Sequence, residues 1–364
     1  MKPTDLQSKV IAFLRFPLIV LALFLHCNFT TLSEGWASLP FASGFMRIFS
    51  QHVASLAIPF FFFISGYLFF KSGQFSPDIY IKRLIHRLQS LFVPYFLWNL
   101  IYLFLVIIIG LFANKVPILG IKFDDMLFGD GIKAFWDISL VDGGNTIAAP
   151  IAIPFWFVRD LMITMVFSPL IYFGVKLFII FGGKRPLVRY VLFLVIIFGI
   201  GYCPYIPGFN PDAWLFFGYG AYYGIKKKEF IVAMMPYAFP AFIILALVIT
   251  IGCFYPNDFI FRLEYVIGLV FGMSFTTKMV RSGTWYVNMT LSNGSFFVFA
   301  THYMFLGTII MFLGSGIWEP QSDWLALLIY VLSVALVVTI CMLLYWLMRT
   351  RLPFTTYILM GGRR

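Results

Sequence analysis

Few residues in this chain carry side chains able to do chemistry, and two of them stand in its first apolar stretch. There Phe13-Leu14-Arg15-Phe16-Pro17 is followed by Leu25-His26-Cys27-Asn28. On an ideal helix the eleven residues from Arg15 to His26 make ~3.06 turns and rise ~16 Å, so the two side chains stack on nearly the same face. Such a face offers a permanent cation at one end and a base at the other: guanidinium holds phosphate or carboxylate, and imidazole accepts a proton near neutral pH. Pro17 either kinks this helix or begins its regular part. The alternative without a ligand makes Arg15 a snorkelling anchor and His26 an interfacial residue bonded to a carbonyl.

A second group of cations follows in Tyr80-Ile81-Lys82-Arg83-Leu84-Ile85-His86-Arg87-Leu88. Arg83 and Arg87 share one helical face at i, i+4, and Lys82 and His86 form a parallel pair. Arginine suits bidentate phosphate binding, and the same cluster also arises wherever a membrane protein keeps its basic residues on the cytoplasmic side. Between these groups lies Ile58-Pro59-Phe60-Phe61-Phe62-Phe63-Ile64-Ser65-Gly66-Tyr67, whose Ser65-Gly66 lets a neighbouring backbone approach closely.

The elements that position these residues must be membrane helices. Of 364 residues 61% are hydrophobic and 11% charged, and apolar runs of roughly 20 residues recur along the whole length. Lipid cannot satisfy free N–H and C=O groups, and the runs lack the alternation of barrel strands, so the fold class is all-α: a polytopic integral membrane protein. Segments near 10–29, 51–70, 88–112, 154–175, 188–203, 211–225, 235–253, 259–277, 295–313 and 324–347 make about ten transmembrane helices. Those at 188–203 and 211–225 are short and flank Cys203-Pro204-Tyr205-Ile206-Pro207-Gly208, which is compatible with a re-entrant pair.

With both termini in the cytoplasm, only Arg47, Lys115, Lys122, Lys133, Arg159 and Arg262 of the 26 basic residues lie away from the inner face. Twelve of the fifteen acids then fall on the outer half, among them Asp124, Asp125, Asp130, Asp137 and Asp142. Dispersal of the +11 charge among loops sets nucleic acid aside as a partner and leaves membrane lipid. Cys27, Cys203, Cys253 and Cys341 show no CxxC pairing, which argues against a disulfide framework or a metal site. The first stretch is longer than an ordinary signal h-region and is read as a retained helix. The largest polar piece, about 113–153, is too short and Gly-rich for a domain of its own, so residues 1–364 are expected to form one transmembrane domain.

Arg15 with His26, the Phe60–Tyr67 run, the Arg83/Arg87 stretch ahead of Pro94, Phe155-Trp156-Phe157-Val158-Arg159-Asp160-Leu161 and Phe296-Phe297-Val298-Phe299-Ala300-Thr301-His302, in this order, resemble the acyltransferase-3 family. These are integral-membrane enzymes that acylate bacterial polysaccharides and other envelope glycans. Many members carry Arg-x-x-Arg after the second helix, whereas here the spacing is Arg-x-x-x-Arg. The resemblance implies a multi-pass protein of the bacterial inner (cytoplasmic) membrane that takes acyl-CoA, usually acetyl-CoA, and delivers the acyl group to a hydroxyl of a glycan or lipid-linked saccharide near the outer face. On that basis Arg15, Arg83 and Arg87 are expected to hold the CoA phosphates, a pantetheine arm spans the ~16 Å, and His26 deprotonates the acceptor hydroxyl.

Three other residues or pairs have two readings each. Arg159-Asp160 either neutralises itself or orients the acceptor sugar, and Glu264 pairs with Arg262 or with His26. His302, mid-to-inner in its segment when counted from residue 295, either lines the CoA tunnel or bonds to a neighbouring helix. The rival function is an envelope-glycan transporter or flippase without acyl chemistry. It calls for charges near the bilayer midplane and discontinuous helices, whereas the clearest ionisable residues here sit near the two boundaries.

Overall fold

The computed structural model describes residues 3–27, 29–112, 128–140, 148–314 and 319–363. Asn28, Lys115, Lys122, Asp124, Asp125 and Asp142, all noted in the sequence, lie outside the described residues. In chain order the helices are α1 (Pro3–His26), α2 (Glu34–Ala37), α3 (Pro40–Ile48), α4 (Ala57–Phe70), α5 (Pro77–Phe112), α6 (Phe128–Ala134), α7 (Trp156–Val166) and α8 (Ser168–Gly182). They continue with α9 (Pro186–Ile200), α10 (Pro211–Ile225), α11 (Phe230–Met234), α12 (Ala238–Phe254), α13 (Asp258–Arg281), α14 (Met289–Gly314), α15 (Asp323–Arg351) and α16 (Pro353–Leu359). The all-α membrane class therefore holds.

Among the described residues the spans that qualify by length and hydropathy number seven or eight, against the ten segments read from the sequence. Among the described residues seven helices are long and apolar enough to cross a membrane, and an eighth results if Ile153–Val166 and Ser168–Gly182, bent by 69°, count as one. Pro169 explains that bend. It has no N–H to bond to the Met165 carbonyl one turn back, so the first helix cannot run on through it, and the break falls at Phe167. The segments read at 188–203 and 211–225 are the 15-residue helices α9 and α10, each ~22 Å long against ~30 Å of hydrocarbon. Between them the chain reverses through an isolated Ile206–Phe209 bridge, with Gly208 at φ +94°.

Helix ends follow local sequence. The Asn210 side chain accepts from the N–H groups of Asp212 (2.9 Å) and Ala213 (3.4 Å) ahead of α10. Asn257 caps α13 through Ile260 N at 3.0 Å, and Ser322 caps α15 through Leu325 N at 3.3 Å. Both capped helices begin with an aspartate, Asp258 or Asp323, and end with cations, Lys278 and Arg281 or Arg349 and Arg351. That order complements the helix dipole.

The chain divides into two compact units, each assembled from separated stretches. In the first (1–18, 55–86 and 160–292), α4 and α10 touch backbone to backbone. A Cβ at Gly66 would overlap the Phe217 carbonyl, and one at Gly220 the Phe63 carbonyl. Small residues permit such approach where lipid supplies no hydrophobic drive between helices, the role read for Ser65-Gly66. Phe63 fills the adjoining space edge-on to Tyr219 (5.1 Å) and Phe230 (5.2 Å). Ser292 Oγ donates to Ala12 O at 2.9 Å, and Phe13 stacks on Trp285 at 5.1 Å.

The second unit (19–54, 87–159 and 293–364) is held by side chains that reach backbone groups of other elements. Trp98 Nε1 donates to Leu359 O (3.0 Å), Tyr102 Oη to Ala300 O (3.2 Å), and Asn99 Oδ1 accepts from Ala152 N (3.0 Å). Asp323 Oδ1 accepts from Ala42 N at 2.7 Å, and the hydroxyls of Ser50 and Tyr330 share a bond of 2.8 Å. Ser50 and His52 are buried on a π-helical turn, Phe49–Val53, that joins the 3-10 turn leading into α4. Such turns often accompany functional sites.

Candidate active site

His26 is the last residue of α1, which runs unbroken through Pro17 from Pro3. Pro17 costs one backbone bond without ending the helix, and the helical spacing of Arg15 and His26 stands. The backbone N–H of Cys27 donates to Phe24 O at 3.1 Å as the helix stops, leaving the His26 ring half-buried and the Cys27 side chain buried.

His302 lies midway along α14, and its ring centroid is 5.6 Å from that of His26, the planes inclined by 35°. The two histidines therefore share one site within the second unit. Counting α14 from residue 295 placed His302 nearer the inner face; the helix begins at Met289, and the ring meets His26 directly. Nδ1 of His302 is 2.7 Å from Phe299 O and 3.2 Å from Val298 O. A carbonyl only accepts, so Nδ1 carries the hydrogen and donates. Nε2 is buried and has no hydrogen-bond partner among the described residues.

Tyr303 completes the group, its ring edge-on to His26 at 5.4 Å. Phe299 packs beside His302 at 6.2 Å and against Phe155 at 5.3 Å, so aromatic rings from α14 and from the turn before α7 wall the site. Tyr303 was not singled out from the sequence, although it directly follows His302. Nothing local marks a tyrosine in a segment as aromatic as Phe296–Tyr303.

The remaining residues separate by what they touch. Arg15 is exposed and makes no hydrogen bond among the described residues, so its donors are uncommitted. Arg83 spends its donors on the connection between α4 and α5: Nη1 reaches Phe69 O (2.9 Å) and Gln74 O (3.3 Å), and Nη2 reaches Ser72 Oγ. Arg87 is half-buried one turn further along α5.

Arg159 and Asp160 are both fully buried and serve different elements. Arg159 donates to Trp136 O at 2.6 Å and to Ala148 O at 3.3 Å, with its guanidinium 5.3 Å from the centre of the Trp136 ring. Asp160 Oδ1 accepts from Gly208 N at 2.9 Å, holding the turn between α9 and α10. Arg262, considered as a partner of Glu264, pairs with Asp212 at 2.7 Å and lies 4.0 Å from Asp258. Glu264 is fully buried in α13 of the first unit. Among the described residues no group of three His, Cys, Asp or Glu side chains is arranged to hold a metal ion.

An imidazole with a second imidazole behind it can take and return a proton in a site walled by aromatic rings. The comparisons with known proteins agree with group-transfer chemistry. A family model described as an acyltransferase domain matches residues 10–346. The succinoglycan biosynthesis protein ExoH of Rhizobium meliloti (strain 1021) is 25% identical over 334 residues, an alignment covering 87% of this chain and 82% of the relative. No solved structure gives a significant match. With Arg15, His26, Arg159 and His302 all inside the matched region, the chain belongs to the acyltransferase-3 family of membrane acyltransferases.

Proposed function

We propose that this protein is an O-acyltransferase of the bacterial inner membrane that moves an acyl group, most simply acetyl, from cytoplasmic acyl-CoA to a hydroxyl of a cell-envelope saccharide or lipid-linked glycan. His26 is its general base. Family membership supports the reaction class, and a relative named for succinoglycan biosynthesis supports a glycan acceptor. The observation that carries the assignment of His26 is its half-buried ring at the end of α1, backed by the buried His302.

In this reading the acceptor hydroxyl gives its proton to His26 as its oxygen attacks the thioester carbonyl. The C–S bond then breaks, and the proton passes from His26 to the departing thiolate, leaving an ester and free CoA. Arg15 is the favoured phosphate ligand, because its donors meet no group among the described residues whereas those of Arg83 hold a turn. Arg87 joins Arg15 in that role. Arg159 and Asp160 shape the acceptor side through the backbone they hold, in preference to touching the sugar, and Glu264 contacts the acceptor.

The test is CoA release by purified protein in nanodiscs with acetyl-CoA and a crude envelope-glycan extract. Release that requires extract and falls ~10²–10⁴-fold in folded His26→Ala supports enzyme and base together. Undiminished release in the variant moves the base elsewhere. No release by wild type, with no acetyl-CoA binding, returns the glycan-transporter reading, to which the break between α7 and α8 would then belong.

A further inference from the structure

Histidine 302 has an unusual combination of features. Its Nδ1–H is committed to the Phe299 carbonyl, which fixes the ring orientation and leaves Nε2 as a bare acceptor when the ring is neutral. That acceptor is buried with no hydrogen-bond partner among the described residues, a costly arrangement inside an aromatic wall. The neighbouring ring that can offer it an N–H is His26, at 5.6 Å between centroids; Tyr303 lies further from it, at 6.4 Å. Carboxylates do not hold His302: its Nδ1 contacts are both to main-chain carbonyls of its own helix.

From this arrangement we infer that His302 is a positioning residue for His26: the two rings, 5.6 Å apart between centroids and not hydrogen-bonded as they stand, draw together when the acceptor enters, so that Nε2 accepts the N–H of one His26 nitrogen and leaves the other, unprotonated nitrogen to face the acceptor hydroxyl. The inference rests on His26 being the base. It replaces a role for His302 in the CoA tunnel. When His26 takes the hydroxyl proton both its nitrogens carry hydrogen. The one facing His302 keeps its proton and its bond, while the new proton goes on to the thiolate. No proton is transferred to His302, and no further reactant is required. A neutral imidazole in this place orients the base and disperses its positive charge without burying a permanent anion in the membrane.

Three variants in nanodiscs, assayed with acetyl-CoA and envelope-glycan extract, test this. Asn at position 302 keeps a donor for the Phe299 carbonyl and lacks the Nε2 acceptor, whereas Gln can place an amide oxygen near the Nε2 position. The expected result is that His302→Asn lowers kcat ~10–100-fold with KM for acetyl-CoA unchanged, and that His302→Gln recovers part of the loss. With only four histidines in the chain, ¹⁵N-histidine spectra also report the ring directly. His26 is a single tautomer in wild type and a mixture in His302→Asn, a signature that remains readable if the variant is inactive.

Unchanged kcat in His302→Asn, or one His26 tautomer in both proteins, overturns the inference. So does a loss that appears wholly as weaker acetyl-CoA binding, since His302 then lines the donor path. His26→Ala is the control that separates the two ideas. Full turnover in it sinks the base assignment, whereas loss in His26→Ala beside normal His302→Asn sinks only the positioning role.

Discussion

The guanidinium of Arg83 donates to the carbonyl oxygen of Phe69 at 2.9 Å, closing the connection between α4 and α5. Arg83 and Arg87 read alike from the sequence, as a phosphate-binding pair on one helical face. The bond to Phe69, with those to Gln74 and Ser72, gives Arg83 a structural task. Arg83→Ala is expected to lower stability by about 1–3 kcal/mol, seen as a fall in the thermal unfolding temperature in nanodiscs. Arg87→Ala is expected to weaken acetyl-CoA binding by calorimetry more than Arg83→Ala does. Equal losses of affinity in the two variants would refute the division of labour, and unchanged CoA affinity in the double variant would remove both from the donor site.

Arg15 is exposed and holds no group among the described residues, so its removal disturbs little packing there. Arg15→Ala is expected to raise the Kd for acetyl-CoA by roughly tenfold or more, the scale of one charge-assisted hydrogen bond. Dephospho-CoA separates its contacts: loss of a phosphate from the ligand should matter less in Arg15→Ala than in wild type. Identical analogue preferences in both proteins would place Arg15 away from the phosphates.

Arg159 ties Trp136 and Ala148 to the start of α7 through two carbonyls. Lysine carries the charge without the planar fork that reaches both acceptors. Arg159→Lys is therefore expected to loosen the chain at Trp136 and Ala148, with faster proteolysis at those two points and a smaller effect on acetyl-CoA binding. Protease resistance equal to that of wild type would show that the bonds are dispensable and would reopen direct acceptor contact for Arg159.

Close approach of α4 and α10 depends on glycine at 66 and 220. Alanine at either position forces a methyl group into a carbonyl of the facing helix, and the expected cost is about 1–3 kcal/mol from overpacking. Alanine at Gly174, which has open space around it, is the control and should leave the unfolding temperature unchanged. A Gly220→Ala protein as stable as the Gly174→Ala protein would contradict the packing described.

The sequence by itself determined that this chain is a bundle of membrane helices, because hydropathy and the cost of unpaired backbone groups in lipid act locally. It also determined that Arg15 and His26 share one helix face, since that relation needs only 3.6 residues per turn. Span lengths were less legible. Apolar residues continue through α9 and α10 whether or not those helices cross the hydrocarbon, and Pro169 breaks a run that hydropathy treats as one. Tertiary structure alone decided which polar groups meet. Arg159 and Asp160 are neighbours in sequence, yet successive helical side chains point about 100° apart, so one grips the backbone around Trp136 and the other the backbone of Gly208. His26 and His302 come from opposite ends of the chain, and only the packing of α14 against the end of α1 brings their rings together.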